Sequence, residues 1–344
     1  MEKELGIKQL MTLNTKYETK YSYSYTNNKP GICKRINIRL NKLEEELLLN
    51  PIIIIELDET TDLEFDPTNI INSIELSIGS SQIDKLYLNQ LKIYQAIKGL
   101  DIKKIDSKIF YPVPIDSFIQ NEGLLVSKLS YYCINMCIEF TSNPCITCIK
   151  DIHVRTEALT MKTNPDYFEI SKYYINNSKN KDICSYLDEY LDKNDSTIVK
   201  IRQNQLQTIS LSSDISNCKY NIWFNHFVEK FFIYFEDVTN DSIYKNKSFD
   251  KITFIANGLN VLEYDYTTLV CDNEEKNIGY KLPQGVFQID FDKFYSTNLS
   301  KIDKFTIELC GITIPNNNIQ FCICANSINY LEYRKNTCGI IYSS

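Results

Sequence analysis

Apolar and polar positions along this 344-residue chain change over in short steps. From Ile36 onward, runs rich in Ile, Tyr, Phe and Thr are broken by polar turns at the spacing of antiparallel sandwiches rather than of helical folds. In the first half the pattern predicts strands over residues 35–40, 52–57, 70–78, 82–88, 123–125, 131–141 and 149–156. Residues 131–140 show the period of two most plainly. Tyr132, Ile134, Met136, Ile138 and Phe140 share one face, with Tyr131, Cys133, Asn135, Cys137 and Glu139 on the other, as in a strand with one deeply buried side.

Two segments depart from that period. Residues 41–50 (NKLEEELLLN) read as one or two helical turns, with Asn41 as N-cap, acids near the positive end and Pro51 as the stop. In residues 88–100, Leu91, Tyr94, Ala96, Ile97 and Leu100 roughly fit helical spacing. Between 163 and 194 the chain turns polar, with a short helix expected over 182–190, and this is read as the domain boundary. Strands are predicted again over residues 207–211, 218–224, 230–235, 251–256, 286–291, 304–309 and 320–325. The organisation expected is an N-terminal arm (1–34), a first sandwich (35–162), a polar linker (163–200) and a second sandwich (201–344). No short tandem repeat is visible, which argues against solenoids and propellers.

Composition agrees with strands. Apolar residues make up 43% and charged residues 24%, a globular balance, and Ala occurs only at Ala96, Ala158, Ala256 and Ala325. With 37 basic and 44 acidic side chains the net charge of -7 repels phosphate backbones, so direct nucleic-acid binding is not expected. Lys103, Lys104 and Lys172 read as solvated loop charges. The longest strongly apolar run, 47–57, is interrupted by Asn50, Pro51 and Glu56 and falls short of the roughly 20 residues that span a bilayer, so no transmembrane segment is expected. The N-terminus lacks the cationic start and apolar stretch of an export signal, which predicts synthesis in a cytosol.

The candidate chemistry is sparse. Twelve cysteines are spread along the chain, and the pairs Cys133/Cys137, Cys145/Cys148 and Cys322/Cys324 raise the question of zinc. Cys145 and Cys148 lack a second matching pair. The other two pairs sit at same-face intervals in strands, where thiols behave as small apolar core residues. The two histidines, His153 and His226, fall in or beside strands without a motif around them, and no G-x-S-x-G, phosphate loop or H-E-x-x-H occurs. Glu56, Asp58, Glu59, Asp62 and Glu64 lack the glycine of a calcium loop and read as an acidic loop. The expectation is therefore a non-enzymatic chain with no catalytic residue, cofactor or metal site.

Several segments, in order and across almost the whole chain, carry a resemblance. Residues 74–84 (IELSIGSSQID) look like a strand, a Gly-rich hairpin and an Ile-Asp pair, with Ser80 at one expected glycine. Residues 110–114 (FYPVP), 121–124 (NEGL) and 129–132 (LSYY) look like a proline-rich lead-in, a glycine turn and a closing strand. Pro112 and Pro114 hold the backbone extended and suit a loop rather than a central ladder. In the second half come 224–232 (FNHFVEKFF), with Phe227 where a proline is usual, then 252–258 (ITFIANG) and 282–291 (LPQGVFQIDF). Residues 298–303 (NLSKID) are close to an N-x-S-R-I-D signature, the most specific of the series. Residues 325–334 (ANSINYLEYR), with Gly339, Tyr342 and Ser343, look like a closing strand and tail.

Together these resemble the major capsid proteins of nucleocytoplasmic large DNA viruses, in a short or divergent form with trimmed loops in the second half. The resemblance implies an all-β chain of two tandem eight-stranded antiparallel jelly rolls with a few short helices in loops. It also implies homotrimers that act as pseudo-hexamers and tile the icosahedral shell of a virion, with minor capsid or cement proteins as further partners. Aromatic residues at loop ends are candidate contacts. Residues 298–303 and 326–330 read as structural signatures, turn amides capping the backbone while Ile302 or Tyr330 fills the core. The alternative is a minor capsid-like or virion-surface β-sandwich that binds sugar or a receptor, since jelly rolls host both roles.

Overall fold

A computed structural model describes residues 17–26, 34–40, 45–58, 69–113, 124–125, 129, 132–141, 147–161, 196–276, 282–291, 298–334 and 337–341. The first half holds β1 (Tyr17–Tyr25), β2 (Arg35–Arg39), β3 (Glu45–Leu57), β4 (Ile71–Ile78) and β5 (Ser81–Tyr87). Helix α1 (Leu88–Lys98) follows, then β6 (Lys103–Ile105), β7 (Lys108–Pro112), β8 (Leu124–Leu125), β9 (Ile134–Phe140) and β10 (Ile149–Met161). The second half begins with β11 (Ser196–Ser210), β12 (Asn217–Asn221), β13 (Phe227–Asp237), β14 (Ser242–Ile243), β15 (Lys251–Ala256) and β16 (Leu259–Asp265). It ends with α2 (Tyr266–Lys276), β17 (Val286–Asp290), β18 (Phe305–Cys310), β19 (Ile319–Arg334) and β20 (Thr337–Ile340).

The two halves repeat one wiring. In the first, β1-β10-β3-β7 form one sheet and β2-β9-β4-β5 the other. In the second, β11-β19-β13 is extended by β17 on β13, and the facing sheet runs β12-β18-β15-β16. Matched strand for strand, each half is an eight-stranded antiparallel jelly roll. A helix leaves the same hairpin in both, α1 after β5 and α2 after β16.

The period of two explains the first core. Tyr111, Ile53 and Val154 lie in one cross-strand row and Ile109, Ile55 and Ile152 in the next, and all six are fully buried. Burial of each is worth roughly 1.5–3 kcal/mol. The second core is aromatic. Phe231 of β13 stacks on Phe254 at 5.5 Å between centroids, and meets Phe291 edge-on at 5.1 Å and Phe305 at 6.1 Å, so one ring joins both sheets.

Compact packing divides the chain into two units. One takes in the described residues up to Leu88, Asp101–Ile201 and Tyr330–Ser343, the other Asn89–Leu100 and Arg202–Asn329. Helix α1 thus leaves the first-half strands and packs in the second unit. Asn89 donates to Glu236 at 2.7 Å, Gln90 to Cys324 Sγ at 2.8 Å, and Asn326 donates to the Tyr94 hydroxyl at 3.0 Å. The Tyr94 ring meets Phe232 edge-on at 5.6 Å. The continuous run Phe231–Phe235 follows from this, because β13 is covered on its second face by the helix.

Three expectations change. Residues 45–50 form part of β3 rather than a helix, and the chain continues through Pro51. Asn50 and Pro51 together oppose Thr156 in a β-bulge, with Asn50 in the left-handed region at φ 46° and its side-chain amide on Glu157 at 2.7 Å. Pro112 pairs with Ile52 at the end of β7. There β6 no longer runs alongside, so the strand is locally an edge and the missing N–H is tolerated. Within the segment read as an arm, Tyr17–Tyr25 is the outer strand of the first sheet. Pro114, residues 121–123 and the helix expected over 182–190 lie outside the described residues. Among the described residues no helix is long and apolar enough to cross a membrane.

Candidate functional site

Two of the sequence signatures meet at one end of the second unit. The segment Ile222–His226 links β12 to β13, and residues 298–304 lead into β18. Asn298 caps the short helical turn Leu299–Lys301, its side-chain oxygen accepting from the Ser300 N–H at 2.9 Å. The Ser300 hydroxyl in turn accepts from the His226 N–H at 3.0 Å, and the Leu299 N–H donates to the His226 carbonyl at 2.8 Å. His226 stands in the left-handed region at φ 69°, a conformation these bonds hold in place. Residues 298–303 thus work as the expected structural signature. Asn326 and Asn329, by contrast, sit inside β19 and not in a turn.

A glutamine ladder fastens the same linker from its other side. Gln207 of β11 donates to the Asn221 carbonyl at 2.9 Å and accepts from the Trp223 N–H at 3.0 Å. Two residues earlier, Gln205 repeats the pattern on Asn225 and also donates to the Ser327 hydroxyl at 2.9 Å. Gln203 accepts from the buried Asn329 amide at 2.6 Å. Alternating side chains of one strand thus supply hydrogen-bond partners to the linker backbone at Asn221, Trp223 and Asn225.

The product is a rigid rim with an outward aromatic. Trp223, the only tryptophan of the chain, is 76% exposed, whereas its neighbours Ile222 and Phe224 are buried. Beside it lies a cavity of about 530 Å³ floored by Ile222, Phe224, Leu299 and Phe305 and edged by Asp303 and Lys304. The strand expected over residues 218–224 includes Trp223, but β12 ends at Asn221. The signal that could have found the ladder was the alternation of glutamines at 203, 205 and 207.

The remaining singled-out residues are dispersed. His226 is buried near Asn329, 3.5 Å from its amide, and burial lowers its pKa. His153 lies in β10 under the rings of Tyr23 and Tyr25, 3.7 Å from the Asp151 carboxylate. Burial, the dominant cause, lowers its pKa as well. Glu56 is paired to Lys108 at 3.3 Å and to Lys150 at 3.4 Å, chiefly the Lys108 bond lowering its pKa, while Glu59, Asp62 and Glu64 lie outside the described residues. Cys322 and Cys324 are buried on the helix-covered face of β19, where Cys322 donates to Glu236 at 3.3 Å. Cys137 accepts from Arg35 at 2.7 Å in the first unit, and Cys145 is outside the described residues. Among the described residues no cluster of His, Cys, Asp and Glu could hold a metal ion.

Two first-half signatures also touch. Gly79 turns the hairpin at φ 60° and donates its N–H to the Cys133 carbonyl at 2.8 Å. A Cβ there would stand 2.5 Å from the Tyr132 ring, so glycine is required twice over. Ser80, at the other expected glycine, has no positive φ, which is why a side chain is accommodated.

No protein-family model and no curated protein matches the sequence. Solved structures do match. PBCV-1 VP54, fitted into a reconstruction of the virophage Sputnik, aligns with TM-score 0.70 at 14% identity over 95% of this chain and 97% of that one. The Faustovirus major capsid protein aligns with TM-score 0.61 at 7% identity over 91% and 90%. The mavirus major capsid protein aligns with TM-score 0.51 at 7% identity over 93% and 89%. At such identities the likeness concerns the backbone path, and it runs through both jelly rolls: this chain has the fold of the double jelly-roll major capsid proteins.

Proposed function

We propose that the chain is a structural, non-enzymatic capsid subunit, and that three copies associate into a pseudo-hexamer that tiles the icosahedral shell of a virion. One observation carries this reading: the same eight-strand wiring occurs twice in one chain. A subunit with two like lobes gives a three-fold ring six like lobes, the outline of a hexagonal tile. Such a ring closes through heterologous contacts, one flank of each subunit meeting the opposite flank of the next. The likeness to capsid subunits of viruses over nine-tenths of each chain supports the same reading. In this assignment β1 to β10 build the first lobe and β11 to β19 the second, so the second lobe begins at Ser196, inside the segment 163–200 expected as linker. Minor capsid or cement proteins are the further partners of such a shell, and the net charge of -7 speaks against direct contact with the genome.

Light-scattering mass with negative-stain images of the purified full chain tests the proposal. A trimer with a hexagonal outline is expected. A monomer that persists at every concentration, or one that binds sugar arrays without self-association, overturns it in favour of a virion-surface binding module.

A further inference from the structure

The rim at the end of the second unit has features that the fold itself does not need. Trp223 is not part of the core, yet two glutamines of β11 fix the backbone that carries it. Asp303 and Lys304 are exposed at the same cavity, and neither side chain has a hydrogen-bond or ion-pair partner among the described residues. Exposed aromatic side chains carried on a pre-ordered backbone next to an apolar hollow suit binding hot spots, because little backbone entropy is lost when they are covered.

The charge pattern selects the occupant. An acid and a base in adjacent positions form a patch that is complementary to itself: across a two-fold axis, residue i of one copy meets j of the other and j meets i. We infer that this rim is a contact with a second copy of the chain across a local two-fold, with Asp303 of each copy against Lys304 of its mate and each Trp223 indole set into the other's hollow. The inference rests on the shell reading, in which identical tiles must meet edge to edge. It names the contact between tiles rather than the one that builds a tile.

A charge-swap series on the full chain tests this. Self-association beyond the smallest stable species is followed by sedimentation, and burial of the rim by the emission of Trp223, which reports alone because no other tryptophan exists. Asp303→Lys and Lys304→Asp should each weaken that association about tenfold, since each sets like charges face to face. The double variant Asp303→Lys/Lys304→Asp should return to within about threefold of the parent. Trp223→Ser, a change at an exposed side chain that leaves folding intact by circular dichroism, should weaken association about thirtyfold, the scale of an interface hot spot. The mass of the smallest species should stay unchanged throughout, so a missing trimer refutes the shell reading and leaves the rim to be judged by its own association. Double-variant association as weak as either single, an unchanged tryptophan emission on association, or a sugar or peptide that fills the hollow and shifts that emission in the unassociated protein would each overturn the contact.

Discussion

Gln205 holds Asn225 by both backbone groups: its Oε1 accepts from the Asn225 N–H at 2.7 Å and its Nε2 donates to the Asn225 carbonyl at 3.0 Å. A side-chain amide here does what a neighbouring strand does elsewhere in the sheet. It spans the place where β12 has ended and β13 has not begun, and so it sets the path into His226 and the rim behind Trp223.

Gln205→Ala should therefore loosen a whole linker. Three hydrogen bonds are lost, and at about 1 kcal/mol each in net terms the second unit should lose about 2–4 kcal/mol. Urea unfolding followed by far-UV circular dichroism measures this. A midpoint equal to that of the parent would show that water serves the linker as well as the amide does.

Much of this architecture is legible in the sequence, and the failures have physical causes. The strands with one buried face announce themselves by alternation, as Ile134, Met136 and Ile138 do. Asn257-Gly258 turns β15 into β16 with φ 48° and 86°, as that dipeptide predicts. Residues 45–50 mislead because their acids and leucines satisfy a helical period, while the bulge at Asn50–Pro51 that lets a strand pass is a pairing property with no local mark. Trp223 and the glutamine ladder are missed for a related reason: their meaning depends on which strand lies opposite, and alternation of polar residues on an exposed face reads as ordinary surface. The Asn298–Asp303 signature was visible as a turn, but its bond to His226 joins residues far apart in the chain.

Tyr94 ties α1 to the second unit through its hydroxyl as well as its ring. The hydroxyl accepts from the buried Asn326 amide at 3.0 Å and donates to Asn204, and the ring meets Phe232. Tyr94→Phe keeps the ring contact and removes both bonds, leaving a buried amide whose oxygen has no partner among the described residues. The expected cost is about 1–3 kcal/mol. Hydrogen exchange should show faster opening of α1 in this variant with β15 and β18 unchanged. Uniform loss of protection across the unit would instead place Tyr94 in the global core.

His226 gives the second unit a pH dependence whose sign can be worked out. Burial holds His226 below the ordinary value of 6.5, so the folded protein favours neutral imidazole while the unfolded chain protonates near 6.5. Between the two values the unfolded state binds more protons, and stability falls as pH drops from about 6.5 through the folded pKa. His153 contributes the same sign in the first unit. Glu236 acts oppositely, since burial raises its carboxyl and favours folding as pH falls toward 4.5. The difference between parent and His226→Asn isolates one group, because Asn accepts the left-handed backbone at φ 69° and does not titrate. Unfolding midpoints from pH 7 to pH 5, read by far-UV circular dichroism, should fall more steeply in the parent than in the variant. Parallel slopes would mean that His226 keeps its ordinary pKa in the fold and that its burial beside Asn329 costs the protonated ring nothing.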